Sequence, residues 1–103
     1  MSDWHAVCPL SELPSNTRKD LIIEGIPILI FNLEGDYYAI QNQCTHQAFP
    51  LTEGLLSGEV LTCPFHGAQF CIKTGEALTA PAFEELPTYP VRVQNDLIEV
   101  KLF

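Results

Sequence analysis

Val91-Arg92-Val93-Gln94-Asn95-Asp96-Leu97-Ile98-Glu99-Val100-Lys101-Leu102 is the stretch whose reading decides the fold class. Apolar Val91, Val93, Leu97, Ile98, Val100 and Leu102 are interleaved with Arg92, Gln94, Glu99 and Lys101. A side chain returns to the same face of a strand every second residue, and Asn95-Asp96 is a turn-forming pair, so the stretch predicts a hairpin with one buried face.

Outward from this hairpin the chain keeps the same character. β-Branched and aromatic clusters at 4–7, 21–23, 26–31, 37–40, 60–62, 69–72, 88–93 and 97–102 read as short strands. Glu24-Gly25, Glu34-Gly35-Asp36, Ser57-Gly58 and Thr74-Gly75 stand between them as tight turns. No long segment has helical periodicity, and the eight prolines argue against long helices. One turn of helix is expected over 9–13, with Ser11 as its cap. The fold class is therefore all-β, an antiparallel sandwich or barrel of short strands.

A chain of 103 residues, 47% of them hydrophobic, has room for one domain over 1–103 and a packed core. Thirteen acidic against five basic residues leave a formal charge of −8. That balance excludes nonspecific nucleic-acid binding as a default and suits association with basic partner surfaces. No apolar stretch is long enough for a membrane span, and no signal-peptide pattern stands at the N-terminus, so the expected location is cytoplasmic. In such a setting the four cysteines, Cys8, Cys44, Cys63 and Cys71, point to metal ligation before disulfides.

Two segments carry the chemistry: Cys44-Thr45-His46 and Cys63-Pro64-Phe65-His66-Gly67. Each offers one thiolate and one imidazole on a short loop, and sixteen residues separate His46 from Cys63. Pro50, Gly54, Pro64 and Gly67 supply the restricted and permissive backbone that such loops need. Zinc accepts two Cys and two His, but zinc fingers usually group the cysteines together and the histidines together. Here they alternate. That order suits a binuclear iron–sulfur centre, with two Cys on one iron and two His on the other. A structural zinc module acting as an interaction domain is the alternative of a different class, and colour separates the two.

The two segments resemble the Rieske signature, C-x-H-x(15–17)-C-x-x-H. Leu51-Thr52-Glu53-Gly54, Gln69-Phe70, Thr74-Gly75 and Tyr89-Pro90-Val91 are similar to the small ferredoxins of bacterial aromatic-ring-hydroxylating dioxygenases. The resemblance implies a Rieske fold, with an antiparallel base and a cluster-binding part over about 43–72. It implies one [2Fe–2S] cluster on Cys44, His46, Cys63 and His66, with the histidines toward solvent and a loop around Ala80-Pro81-Ala82 covering one side. It also implies an electron carrier, not an enzyme, in aromatic hydrocarbon catabolism. Its partners would be a flavin-containing NAD(P)H-dependent ferredoxin reductase and a terminal oxygenase. A diiron monooxygenase or a nitrite-reductase-like acceptor is the alternative within the same class. An oxygenase of its own would need a second iron on two His and a carboxylate, and only His5 is left over.

Respiratory Rieske proteins carry a further Cys in each loop, joined as a disulfide, and hydroxyls of a Ser and a Tyr on the cluster sulfurs. The matching residues here are Phe49, Phe65, Ala68 and Phe70, so the resemblance implies the low-potential branch. Cys8 and Cys71 read as small buried hydrophobes, and His5 as an ordinary polar position beside Trp4. Phe49, Pro50 and Phe65 flank the ligands as a water shield or an apolar docking rim.

Overall fold

The computed structural model describes residues 4–44, 50–64, 67–79 and 84–102. Its strands are β1 (Trp4–Pro9), β2 (Thr17–Ile23), β3 (Ile26–Leu33), β4 (Asp36–Gln41), β5 (Leu55–Ser57), β6 (Val60–Thr62), β7 (Gln69–Cys71), β8 (Thr88–Tyr89), β9 (Val91–Gln94) and β10 (Leu97–Lys101). They form three sheets, ordered β1-β10-β9, β2-β3-β4-β8 and β5-β6-β7, with every pairing antiparallel.

The sheet β2-β3-β4-β8 is the middle layer, and β3 shows why. Its run Ile28-Leu29-Ile30-Phe31 is buried at every position. Ile28 and Ile30 pack with Cys8, Ile98 and Val100 of the sheet β1-β10-β9. Leu29 and Phe31 pack with Leu61, Phe70 and Ile72 of the β5-β6-β7 region. A strand covered on both faces needs apolar residues without alternation, and burial of each such side chain contributes ~1.5–3 kcal/mol. Two cores therefore lie back to back, and the second of them reaches the cysteine loops.

The expected strand at 88–93 is interrupted. Thr88 and Tyr89 pair with Ile40 and Ala39 of β4, whereas Val91 and Val93 pair with Val100 and Ile98 of β10. Pro90 lies between, has no N–H to offer a ladder, and accepts the Lys101 N–H on its carbonyl at 3.0 Å. The strand changes sheets there and ties two layers together.

Three two-residue hairpins fall where expected, except that Asp36, expected in the second turn, is the first residue of β4 and pairs with Leu33. Glu24 and Gly25, Glu34 and Gly35, and Asn95 and Asp96 all have positive φ, as the favoured hairpin turns require. Pairing of Ile98 with Val93 and of Val100 with Val91 settles the face of the last hairpin. Ile98 and Val100 are fully buried, whereas Leu97 and Val93 at the tip are about 40% exposed (39% and 41%). Leu97 and Ile98 are adjacent, so only one of them could face the core.

Three local expectations need correction. The helical turn is a 3₁₀ turn over Leu10–Glu12, preceded by Pro9 with no side-chain cap, and Ser11 lies inside it. Strand β5 was not anticipated; its three residues are too few for a visible period. Ser57 pairs with Val60, so the turn falls on Gly58-Glu59.

Candidate metal centre

Cys44 follows β4 by three residues, and Cys63 directly follows β6. Both are 2% exposed and share one apolar core with Leu51, Leu61, Ala68, Phe70 and Ile72. The two loop origins, nineteen positions apart in sequence, are thus brought into the same buried region. The second loop is closed tightly. Cys63 N–H donates to the Ala68 carbonyl at 2.7 Å, and Gly67 N–H donates to the Cys63 carbonyl at 3.1 Å. Gly67 has φ +74, a left-handed conformation that glycine adopts without strain.

His46 and His66 lie outside the described residues, as do Phe49, Phe65 and the segment 80–83. The structure therefore describes two of the four expected ligands, the thiols of Cys44 and Cys63. The donor set fits a Cys/His-ligated cluster: two soft thiolates in a shared apolar core, each starting a loop with an imidazole two or three residues on. No cysteine of the chain is in a disulfide.

The two remaining cysteines differ from each other. Cys8 is 6% exposed, and burial pushes its thiol up, with Lys19 opposing and Glu12 adding to the effect. It is a neutral packing residue, as expected. Cys71 is only half-buried on the outer face of β7. Burial pushes its thiol up too, but hydrogen bonds from the Thr74 side chain and from the backbone of Thr74 and Lys73 prevail, leaving it below its ordinary value. Its expected burial is therefore only partly met, because Phe70 and Ile72 beside it take the inward positions. Two open clefts, one lined by Arg18, Tyr38 and Lys73 and the other by Tyr37, Ile72 and Tyr89, include neither Cys44 nor Cys63.

An all-β frame with two Cys/His segments rooted in one core suits an iron–sulfur protein, and the family match shows that class. The chain belongs to the Rieske [2Fe-2S] domain family, which matches residues 3–90. Its cofactor is accordingly one [2Fe–2S] cluster. It is 33% identical over 99 residues to the naphthalene 1,2-dioxygenase system ferredoxin component of Pseudomonas aeruginosa, covering 96% of this chain and 95% of the relative. It is 39% identical over 97 residues to the 3-phenylpropionate/cinnamic acid dioxygenase ferredoxin subunit of Escherichia coli K12, covering 92% and 90%. The solved ferredoxin of carbazole 1,9a-dioxygenase from Nocardioides aromaticivorans IC177 superposes with a TM-score of 0.89 at 26% identity, covering 96% and 97%. Within its family the chain is a ferredoxin component, an electron carrier and not itself an enzyme.

Proposed function

We propose that this ferredoxin takes single electrons from a flavin-containing NAD(P)H-dependent reductase and passes them to a terminal oxygenase that hydroxylates an aromatic ring. Cys44, His46, Cys63 and His66 hold the cluster in this reading, within a single domain over 1–103 whose cluster-binding part spans about 43–72. We place the protein in the cytoplasm, where unpaired structural cysteines such as Cys8 persist. The observation that carries the ligand reading is the convergence of Cys44 and Cys63 in one buried core. Bound there, the cluster would supply one-electron redox chemistry.

The protein's own part is to hold and shield. Leu51, Leu61, Phe70 and Ile72 exclude water around the thiol ligands, and the hydrogen-bonded turn at 63–68 fixes the second loop. The oxygenase reading is supported by relatives named as dioxygenase ferredoxins and by a structural neighbour described as a complex of reduced oxygenase and oxidized ferredoxin in carbazole 1,9a-dioxygenase. That neighbour is 31% identical with a TM-score of 0.88. Reconstitution with a flavin reductase and a ring-hydroxylating oxygenase tests the reading. Product should form only when the chain is present. Undiminished turnover without it would contradict the proposal.

A further inference from the structure

We propose that Arg18 and Asn42 are positioning residues for the cluster: together they clamp the turn 51–54 and so hold the first cluster loop in register with the second. The inference rests on Cys44, His46, Cys63 and His66 being the ligands.

Asn42 stands two residues before Cys44 and is 7% exposed. Its backbone N–H donates to the Pro27 carbonyl at 2.8 Å, which fixes it to the start of β3. Its side-chain Oδ1 accepts the Leu51 N–H at 2.6 Å, and its Nδ2 donates to Thr52 Oγ1 at 2.7 Å. One amide thus ties the chain entering the first loop to the chain leaving it.

Arg18 reaches the same turn from β2. Its Nη1 donates to the carbonyls of Thr52 at 3.1 Å and Gly54 at 2.8 Å, and its guanidinium lies 5.3 Å from the Phe31 ring centroid. Gly54 N–H closes the turn onto the Leu51 carbonyl at 2.9 Å. Gly54 also brings the turn against β6. A Cβ there would lie 2.7 Å from the Thr62 carbonyl and 2.9 Å from Leu61 Cδ1. Thr62 immediately precedes Cys63.

The turn is therefore the junction of the two loops. Upstream it connects through Asn42 to Cys44, and downstream through Gly54 and Thr62 to Cys63. A charged donor on two carbonyls is a stronger restraint than a neutral one. The Leu51 N–H on Asn42 is buried and the Thr52 and Gly54 carbonyls under Arg18 are part-buried, so removing either side chain takes a partner from backbone groups of the turn. Loss of either clamp frees the first loop from the second without touching a ligand.

The test uses the iron-loaded protein and variants Arg18→Met, Arg18→Lys, Arg18→Gln, Asn42→Ala and Thr52→Val. Cluster release is followed by visible absorbance in excess EDTA, and the centre's geometry by the g-values of the reduced protein. Arg18→Met and Asn42→Ala each remove two hydrogen bonds to the turn and should release the cluster at least about five- to tenfold faster, the factor of even one such bond, and shift the g-values. Arg18→Lys should stay near wild type, because an ammonium can donate to the same two carbonyls. Arg92→Met is the control, since Arg92 stacks on Trp4 at 4.3 Å and bonds Glu99 at 2.6 Å in the outer sheet. It should lower the melting temperature and leave release unchanged. If Arg18→Met and Asn42→Ala behave like that control, the inference is overturned. Should those two fail to fold, two milder variants decide together: Thr52→Val, which removes only the bond from Asn42 Nδ2, and Arg18→Gln, whose amide is too short to reach the two carbonyls. Faster release supports the clamp, and wild-type rates and spectra in both overturn it. A wild-type protein without iron would instead overturn the ligand assignment.

Discussion

Ala68 is fully buried and accepts the Cys63 N–H on its carbonyl at 2.7 Å, so it lies across the second loop from a proposed thiol ligand. Phe70, also fully buried, shares the core of Cys44 and Cys63. Neither side chain can donate a hydrogen bond. A hydrogen bond to a cluster sulfur stabilises the more negative reduced state more than the oxidised one, so its absence keeps the potential low. With a redox-state difference of ~1–2 kcal/mol per bond, a hydroxyl at either position should raise the potential by roughly 40–90 mV. The wild-type value should fall near the low end of the Rieske range, roughly −150 mV. Protein-film voltammetry on wild type, Ala68→Ser and Phe70→Tyr checks both numbers. A wild-type potential well above zero would contradict the dioxygenase-type assignment, and unmoved variants would remove the hydrogen-bond explanation. The Cys/His segments were legible in the sequence because each Cys and its expected His sit within three positions, whereas Ala68 and Phe70 were read through the resemblance. Arg18 and Asn42 were not legible. Arg18 reaches Thr52 and Gly54 across 34 and 36 positions, and Asn42 reaches Leu51 across nine, with no periodicity to announce either.

Hairpins were the elements that the sequence showed most clearly, since Glu24-Gly25, Glu34-Gly35 and Asn95-Asp96 carry their turn chemistry in two residues. Strand β5 escaped because three residues show no period, and the split at Pro90 escaped because only the pairing shows that the strand serves two sheets. The last hairpin also holds a stability reserve. Asp96 has φ +63, where glycine has no Cβ to crowd the backbone. The Leu10 N–H bond to its carbonyl, 3.0 Å, is made by the backbone and survives substitution. Asp96→Gly should therefore stabilise the fold by about 0.5–1 kcal/mol and raise the melting temperature by roughly 2–8 °C. A fall measured by circular dichroism would show that the turn is not strained in this way.

Charge acts at the scale of the whole molecule. The net −8 is unevenly relieved: within 43–87 the described residues include Glu53, Glu59, Glu76, Glu84 and Glu85, and the one base among them, Lys73, is paired with Glu59 at 2.6 Å. Held by Cys44 and Cys63 as proposed, an oxidised core of two Fe³⁺ and two S²⁻ would have its +2 cancelled by the two thiolates, so loading the cluster would leave this acidity in place. Association with a basic partner surface should slow as salt rises. In the reconstituted system, turnover at limiting ferredoxin should fall between ~0.02 and ~0.3 M salt, and turnover indifferent to salt would contradict electrostatic steering. Beneath that surface the middle sheet supports two cores, and the cysteine loops are rooted in one of them. All of it depends on which side chains hold the metal, and one measurement asks that directly: iron and acid-labile sulfide per chain in wild type and in four single Cys→Ser variants. Wild type, Cys8→Ser and Cys71→Ser should each contain two iron and two sulfide, the content of one [2Fe–2S] cluster, whereas Cys44→Ser and Cys63→Ser should lose the cluster or hold it unstably. Full loss of iron from Cys8→Ser or Cys71→Ser, or stoichiometric zinc in place of iron in the wild type, would contradict the assignment.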